Sequence, residues 1–411
     1  MAAPANPRPA TRSAARHRLP TGLRLLIAAR AVNQLGAFSL AFLTVLLNRD
    51  LGASLRTAGA VCALFGLATI PSRLLGGRLT DRWGRRRTIL VGLLGCALAQ
   101  LGIAAAPTLA FAAICCVLLG FAFELYEPPS QAMIADAVAP QERASAYALL
   151  TTALAVGNMG AGLIADVVGR AGLRWLFVLD AASCLACAAI VRLVLPNDRA
   201  RAPAASPAPL VPPSAARSDT NSPWRDRPLL TMTALGTVFA LVSMLMLVAL
   251  PLSLSADGVD PAAAGLIMTA STVTLLAARP ALRLGPLSGL GPSAAFAAGY
   301  VLMAAGLSGY ALARTVPALL GPTVLYALGN LLLTGRSFAV VSEFAPPGRS
   351  ARYLAVYGLS WGIATVLAPP LSSGLLAAFR PPVLWAAMSA TSLAMAAVQP
   401  LVLRRLPQRR I

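Results

Sequence analysis

Charge is scarce in this chain of 411 residues, and most of it has one sign. Charged residues make up 12% of the sequence and hydrophobic residues 57%, whereas soluble domains carry about 25% charged residues. Lysine is absent, and the single histidine, His17, lies near the N-terminus, outside every apolar segment. A soluble protein needs more charge than this to cover its surface. A large soluble enzyme, and histidine catalysis in the hydrophobic part, are therefore excluded.

The six cysteines all lie in apolar segments. Cys184 and Cys187 have the two-residue gap that metal and redox sites use. No grouping of histidines or carboxylates accompanies them, and the sequence has no glycine-rich phosphate loop. We therefore predict that the two thiols are buried as small hydrophobic side chains, and we expect no metal and no cofactor.

Twelve apolar segments are long enough to cross a bilayer. Only a helix satisfies its own backbone hydrogen bonds over such a length in lipid, so an all-α membrane protein with twelve transmembrane helices is predicted. The segments are 23–47, 58–76, 88–106, 109–135, 146–168, 173–195, 229–254, 262–278, 293–313, 316–339, 353–379 and 383–403.

The arginines fix the expected orientation. If the N-terminus is cytoplasmic, 24 of the 34 basic residues lie on the inner side and 6 on the outer side, which is the positive-inside pattern of membrane proteins. The net charge of +20 is thus explained without nucleic acid. We predict a cell-membrane protein with both termini in the cytoplasm.

A polar stretch divides the chain into two halves. Residues 196–228 are rich in Pro, Ala, Arg and Ser, which is typical of a disordered linker. The expected units are a cytoplasmic tail (1–21), a six-helix bundle (22–195), the cytoplasmic linker (196–228), a second six-helix bundle (229–403) and a tail (404–411). The pattern Ala-Pro-x-x-Arg-x-x-x-Tyr occurs at 139–147 and again at 345–353, which favours duplication and two pseudo-symmetric bundles.

An acid stands among arginines between the second and third segments, in the sequence from Gly77 to Arg87. This stretch resembles the motif G-x-L-x-D-R-x-G-R-R/K of the major facilitator superfamily, which lies in the loop between helices 2 and 3. The matching residues are Gly77, Leu79, Asp81, Arg82, Gly84, Arg85 and Arg86.

The resemblance implies a fold and a gating role. It implies two six-helix bundles around a central cavity, with substrate reached alternately from either side. It also implies that Asp81 packs at the start of helix 11, near Arg352, where the helix dipole favours an anion. Arg85 would pair with Asp136 at the inner end of helix 4, and the two interactions would stabilise the outward-facing state.

Two acids lie within the fourth segment. Gly120, Glu124, Glu127 and Gln131 have the spacing of one helix face, and Pro128 and Pro129 are expected to kink that helix. Carboxylates in a membrane are costly and are therefore functional candidates. We predict that Glu127, with Glu124 as its partner, binds the coupling proton; the alternative is that both acids only pair with Arg30.

Further polar and aromatic residues are candidates for a substrate cavity: Arg30, Asn33, Gln34, Tyr126, Asn330, Tyr357 and Trp361. Packing or interface anchoring is the alternative for the aromatic ones. Asp166 and Asp180 lie nearer the outer ends of their helices, and we expect structural roles for both.

The Tyr-Glu-Pro-Pro stretch and the start of the eleventh segment are similar to those of drug–proton antiporters. This resemblance implies proton-coupled efflux of small hydrophobic or cationic compounds by a monomer whose partners are its substrate, protons and the bilayer. A proton-linked importer or an exporter of one metabolite is the alternative within transporters. A non-transporting membrane sensor is the alternative of another class.

Overall fold

The computed structural model describes residues 21–36, 39–126, 129–130, 133, 143–194, 223–284, 291–344 and 350–405, and within them it contains thirteen α-helices and no strand. The all-α prediction is confirmed. The helices are α1 (Thr21–Gln34), α2 (Ser39–Arg49), α3 (Leu55–Trp83), α4 (Arg85–Ala104), α5 (Leu109–Phe123), α6 (Arg143–Ala171), α7 (Leu173–Val194), α8 (Arg227–Ala256), α9 (Ala263–Leu284), α10 (Pro292–Leu312), α11 (Val316–Phe344), α12 (Ser350–Ala378) and α13 (Pro381–Arg405).

The helices provide the twelve predicted membrane crossings. Ten spans are long and apolar enough to cross a membrane, one of them formed by α1 and α2 together, and shorter apolar helices occur at Leu109–Phe123 and Ala263–Ala278. Leu98, Val167 and Leu312 are 71%, 69% and 80% exposed. Large apolar side chains on the outside of a helical bundle are stable against lipid tails but not against water.

The first span is broken, although its sequence predicts one continuous helix over 23–47. Helix α1 ends at Gln34, Leu35 and Gly36 form a turn, and α2 begins at Ser39. A Cβ atom on Gly36 would lie 2.7 Å from the Cβ atom of Asp180 on α7. The chain therefore passes α7 so closely that residue 36 cannot carry a side chain. The helix is interrupted at the same place.

The fourth span is also interrupted, so the helix that carries Gly120 does not continue through Glu124 as predicted. Helix α5 ends at Phe123, and Glu124 caps it. Because Pro128 and Pro129 have no N–H group, the carbonyl groups four residues earlier have no helical donor. Glu127 and Gln131 lie outside the described residues.

Each half packs as a bundle. In the first half α3 and α4 pack against α5, and α7 packs against α1 and α4; in the second half α8 packs against α12, and α10 against α11 and α13. Small residues allow close approach, because a Cβ atom on Gly299 of α10 would lie 3.2 Å from the carbonyl oxygen of Gly329 on α11. This is the packing expected where lipid supplies no hydrophobic driving force.

Glycines bring the two halves into backbone contact on one side, which we call the predicted outer side because the arginines place residues 50–54 and 257–262 there. A Cβ atom on Gly59 of α3 would lie 2.9 Å from the carbonyl oxygen of Pro369 on α12. A Cβ atom on Gly265 of α9 would lie 2.7 Å from the backbone nitrogen of Asp166 on α6. These contacts close the predicted outer side.

The last residues of the predicted linker belong to the second bundle. Pro223–Arg225 form a 3-10 turn, and Asp226 caps α8 by accepting from the Leu229 amide at 3.4 Å. The Tyr353 hydroxyl donates to Asp226 Oδ2 at 2.6 Å, which attaches this cap to α12. Residues 1–20, 195–222 and 406–411 lie outside the described residues, so the disordered linker and both tails stay predictions.

Candidate functional site

A cavity of about 170 Å³ lies between the two halves. It is bounded by α6 of the first half and by α8, α9 and α11 of the second. Its lining residues are half apolar and half polar, and none of those described carries a charge: Met246, Leu247, Leu250, Ile267, Met268, Asn158, Ser243, Ser271, Thr272 and Tyr326.

Helical spacing explains why these side chains face one space. Ser243, Met246, Leu247 and Leu250 are separated by three, one and three residues, so they share one face of α8. The sequence does not single out this set, because hydroxyl groups are common in apolar helices and, unlike charged groups, do not by themselves indicate a site. The available signal was the polar residues that recur along that face and along α9.

Two predicted cavity residues contact the lining directly. The Gln34 amide, at the end of α1, donates to Asn158 Oδ1 at 2.6 Å. The Asn330 amide donates to Ser243 Oγ at 3.2 Å. Tyr326 lines the same cavity. Each half thus supplies one hydrogen-bonded pair, with an amide as the donor, to the polar side of the cavity.

Three other predicted residues form a cluster within the first half. The Arg30 guanidinium carbon lies 4.8 Å from the centre of the Tyr126 ring, an arrangement typical of cation–π attraction. The Tyr126 hydroxyl donates to Asn33 Oδ1 at 3.4 Å. All three side chains are buried. Partly buried Glu124 precedes Tyr126 by two residues, so the cluster lies next to the end of α5.

The two predicted aromatic residues of α12 pack within the second half. Tyr357 is 1% exposed and meets Phe338 edge to face, with ring centres 5.4 Å apart. Trp361 meets Phe239 in the same way at 6.0 Å. Neither belongs to the described lining of the cavity. The structure therefore places them in aromatic contacts within the second half, and their substrate contact stays a prediction.

The gating motif is mostly helical, whereas its sequence predicts a loop. Helix α3 continues through Gly77 and Asp81 to Trp83, and Gly84 alone separates it from α4. Gly84 has φ of 88°, which a glycine adopts without strain. Arg82 is exposed, and Arg85 and Arg86 are half-buried.

Part of this motif contacts the end of another helix. Arg86 Nη2 donates to the carbonyl oxygen of Arg192 near the end of α7, where a cation complements the helix dipole. The side chains of Asp81 and Arg352, and residue Asp136, lie outside the described part of the chain, so their proposed interactions stay predictions.

The cysteines behave as the sequence predicts. All six are buried and free, Cys184 and Cys187 among them. Within the described residues no group of three His, Cys, Asp or Glu side chains is placed to hold a metal ion. Cys184 has two polar contacts that its spacing did not suggest, since Asn33 Nδ2 donates to its sulfur at 3.2 Å and the thiol donates to Asp180 Oδ1 at 3.9 Å.

Comparison with known proteins gives consistent relatives. The family model of the Major Facilitator Superfamily matches residues 26–252 and 232–410. An uncharacterized MFS-type transporter of Bacillus subtilis, YhjO, is 25% identical over 83% of this chain and 82% of its own. The puromycin resistance protein pur8 of Streptomyces alboniger is 32% identical over 43% of this chain and 36% of its own. A multidrug resistance protein B homolog of Mycobacterium tuberculosis is 30% identical over 35% of this chain and 26% of its own.

Solved structures show the same fold. The nucleoside transporter NupG superposes with a TM-score of 0.76 at 14% identity, covering 92% of this chain and 99% of its own. A crystal structure of the peptide transporter POT with sulfate superposes with a TM-score of 0.74 at 16% identity, covering 94% of this chain and 95% of its own. Duplicated helical halves, the arginine motif, a cavity between the halves and the family match all agree, and the chain belongs to the Major Facilitator Superfamily of multi-pass membrane transporters.

Proposed function

We propose that this transporter exports small hydrophobic or cationic compounds across the cell membrane in exchange for protons, as a monomer with both termini in the cytoplasm. The observation that carries the proposal is the uncharged cavity between the halves, with Met246 and Met268 in its wall. Methionine side chains adapt to different apolar shapes, which suits a carrier that accepts several compounds.

The lining favours one chemical class over others. A buried zwitterion or multiply charged substrate needs opposite charges close to it, because an unpaired charge in a dry site is costly. Ser243, Ser271 and Thr272 offer neutral hydrogen bonds, and the remaining wall offers apolar contact. A mostly hydrophobic compound with at most one delocalised charge fits this wall best.

The size of the cavity supports alternating access. About 170 Å³ is less than the roughly 300–1,000 Å³ of pockets that hold drug-sized ligands. The cavity must therefore enlarge when the halves move apart. The glycine contacts at the predicted outer side, Gly59 to α12 and Gly265 to α6, close that route in the present conformation.

The acids next to α5 are proposed as the coupling group. Glu124 lies where the helix ends, and Glu127 follows it in sequence. Their neighbour Tyr126 contacts Arg30. A positive guanidinium therefore lies near these acids, and its interactions change when an acid gains or loses a proton. The relatives named for multidrug and puromycin resistance support export as the direction.

Everted membrane vesicles from a strain without its own exporters test the proposal. Ethidium and puromycin serve as probes, and the luminal pH is recorded at the same time. Export predicts that each compound accumulates in acid-loaded vesicles while protons leave them. Glu127→Gln should abolish this exchange at unchanged expression. Proton flow in the same direction as the compound would show an importer and overturn the proposal.

A matched pair of variants tests the cavity itself. Met268 lines the cavity, and Met395 is buried in α13 away from it. Met268→Ala should change the ratio of ethidium to puromycin transport several-fold, because it enlarges the binding space. Met395→Ala removes the same atoms from the core and should leave that ratio unchanged. Equal ratios in both variants would contradict substrate binding in this cavity.

A further inference from the structure

Among the residues that the structure describes, Asp180 is the most deeply buried acid. Its exposure is 5%, although its sequence position predicts a structural acid near the membrane interface. Asp180 lies seven residues into α7, or about 10 Å along the helix. A carboxyl group inside a membrane protein at this depth is a functional candidate by default.

Its surroundings form a closed hydrogen-bond network at the break in the first span. The Ser39 hydroxyl, at the start of α2, lies 2.5 Å from Asp180 Oδ2 and 3.2 Å from Gln100 Oε1 of α4. The Ser183 hydroxyl lies 3.4 Å from Asp180 Oδ1, but it is closer, at 2.8 Å, to the Asp180 carbonyl oxygen.

The number of hydrogens in this network depends on the charge of Asp180. Ser39 has one hydroxyl hydrogen, and two oxygens accept from it. A proton on Asp180 Oδ2 removes the competition, because Asp180 then donates to Ser39 and Ser39 donates to Gln100. Without that proton, Ser39 donates to the carboxylate, and the Gln100 amide must turn so that its Nε2 donates to Ser39.

The network is connected along the chain to the wall of the substrate cavity. The last residue of α1, Gln34, hydrogen-bonds Asn158 in the cavity wall, and the first residue of α2, Ser39, hydrogen-bonds Asp180. Only four residues of chain, 35–38, separate the residue that contacts the cavity wall from the residue that contacts Asp180. Discontinuous helices in transporters hold substrate or coupling ions at such breaks, where exposed carbonyl and amide groups meet.

We propose that Asp180 is a second proton-binding site, and that its charge state sets the hydrogen bonds of Ser39 at the start of α2. This inference rests on the proposed proton coupling. An O–H bond forms at Oδ2 with a proton from water on one side of the membrane, and the same proton leaves to water on the other side. In the ionised state the N-terminal end of α2 stabilises the carboxylate.

Other ionisable groups face Asp180 or its helix. Cys96 of α4 and Cys184 of α7 lie beside it. Arg30 of α1 lies further along, near Cys187. Asp166 of α6 pairs with Arg170 at 2.7 Å. Helix α2 has no ionisable residue before Arg49.

Proteoliposomes containing the full chain test this assignment in two transport modes, with ethidium as the probe. Export driven by a pH gradient requires proton binding and release, whereas counterflow exchange of ethidium does not. Asp180→Asn, which imitates the protonated form, should lose gradient-driven transport at least tenfold and keep counterflow. Asp180→Glu should restore part of the gradient response. Asp166→Asn is the matched control and should keep both modes.

The outcomes separate the two proposals. Wild-type protein without any response to the gradient overturns the proposed proton coupling and this inference with it. A wild-type response that Asp180→Asn retains overturns the role of Asp180 alone. If Asp180→Asn loses both modes, Asp180→Glu decides: recovery of both supports the site, and loss of both shows that the residue is only structural.

Discussion

Gly84 is the residue whose backbone most directly determines the gating motif. Its φ of 88° lies in the region that side chains avoid, and it ends α3 and begins α4 within one residue. We predict that Gly84→Ala lowers the free energy of unfolding by about 1–2 kcal/mol, because a Cβ atom clashes in this conformation. Thermal unfolding of the detergent-solubilised protein measures the loss.

Gly358 is the control for that substitution. It lies inside α12, and a Cβ atom there meets nothing within 4 Å. Gly358→Ala should be neutral or slightly stabilising, since alanine has the higher helix propensity. If both variants unfold at the same temperature, the backbone of Gly84 does not constrain the turn between α3 and α4.

The structural roles of some single residues can be recognised from the sequence, and those of others cannot. Gly84 is recognisable because a glycine at that place in a charged motif indicates a special backbone. Cys184 and Cys187 are recognisable as core residues because no ligands accompany them. The burial of Asp180 is not recognisable, because its partners Ser39 and Gln100 lie 141 and 80 residues away in the chain. A sequence cannot show that α2 and α4 bring a hydroxyl and an amide to that acid.

At the level of helices, the sequence predicts the number of spans but not where they break. Hydropathy alone gives one span for residues 23–47 and one for residues 109–135. At the first break Gly36 lies against Asp180 of another helix, a contact that the sequence does not show. At the second break the sequence does show the prolines, but the residue at which α5 ends is visible only in the structure.

Gly265 provides a test of the contact between α6 and α9. A Cβ atom there would overlap the carbonyl oxygen of Gly162, and backbone atoms of a packed helix cannot rotate aside. We predict that Gly265→Ala separates the two helices and favours opening of the predicted outer side. An overpacking cost of about 1–3 kcal/mol corresponds to a shift of roughly five- to hundredfold in the equilibrium.

Labelling of a cysteine in the cavity measures that shift. Ser271→Cys places a thiol in the wall, and a membrane-impermeant maleimide applied from outside the cell reaches it only when the outer side is open. Labelling should be faster with Gly265→Ala than with Gly362→Ala, where a Cβ atom has open space. Equal rates would mean that this contact does not close the outer side.

For the whole molecule, the function depends on two rigid halves that touch at different places in different states. The described contacts hold the predicted outer side closed through α3 with α12 and through α6 with α9. Transport requires that these contacts separate in every cycle, because the cavity lies between the halves and alternating access opens it on each side in turn. A covalent link across the contact should therefore stop transport while leaving both halves folded.

The pair Gly59 and Ser373 is suited to such a link. A Cβ atom on Gly59 would lie 2.9 Å from Ser373 Cβ, and a disulfide needs about 3.5–4.5 Å, so a shift of roughly half an ångström suffices. The six native cysteines are buried and free, and each single cysteine variant is the control for a disulfide with one of them. Gly59→Cys alone is also the control for overpacking, because its Cβ atom would lie 2.9 Å from the carbonyl oxygen of Pro369. We predict that the double cysteine variant transports ethidium when reduced, stops when oxidised and recovers with a reducing agent, while the transport rate of each single variant is the same under all three conditions. Transport by the oxidised, cross-linked protein would contradict opening at this contact.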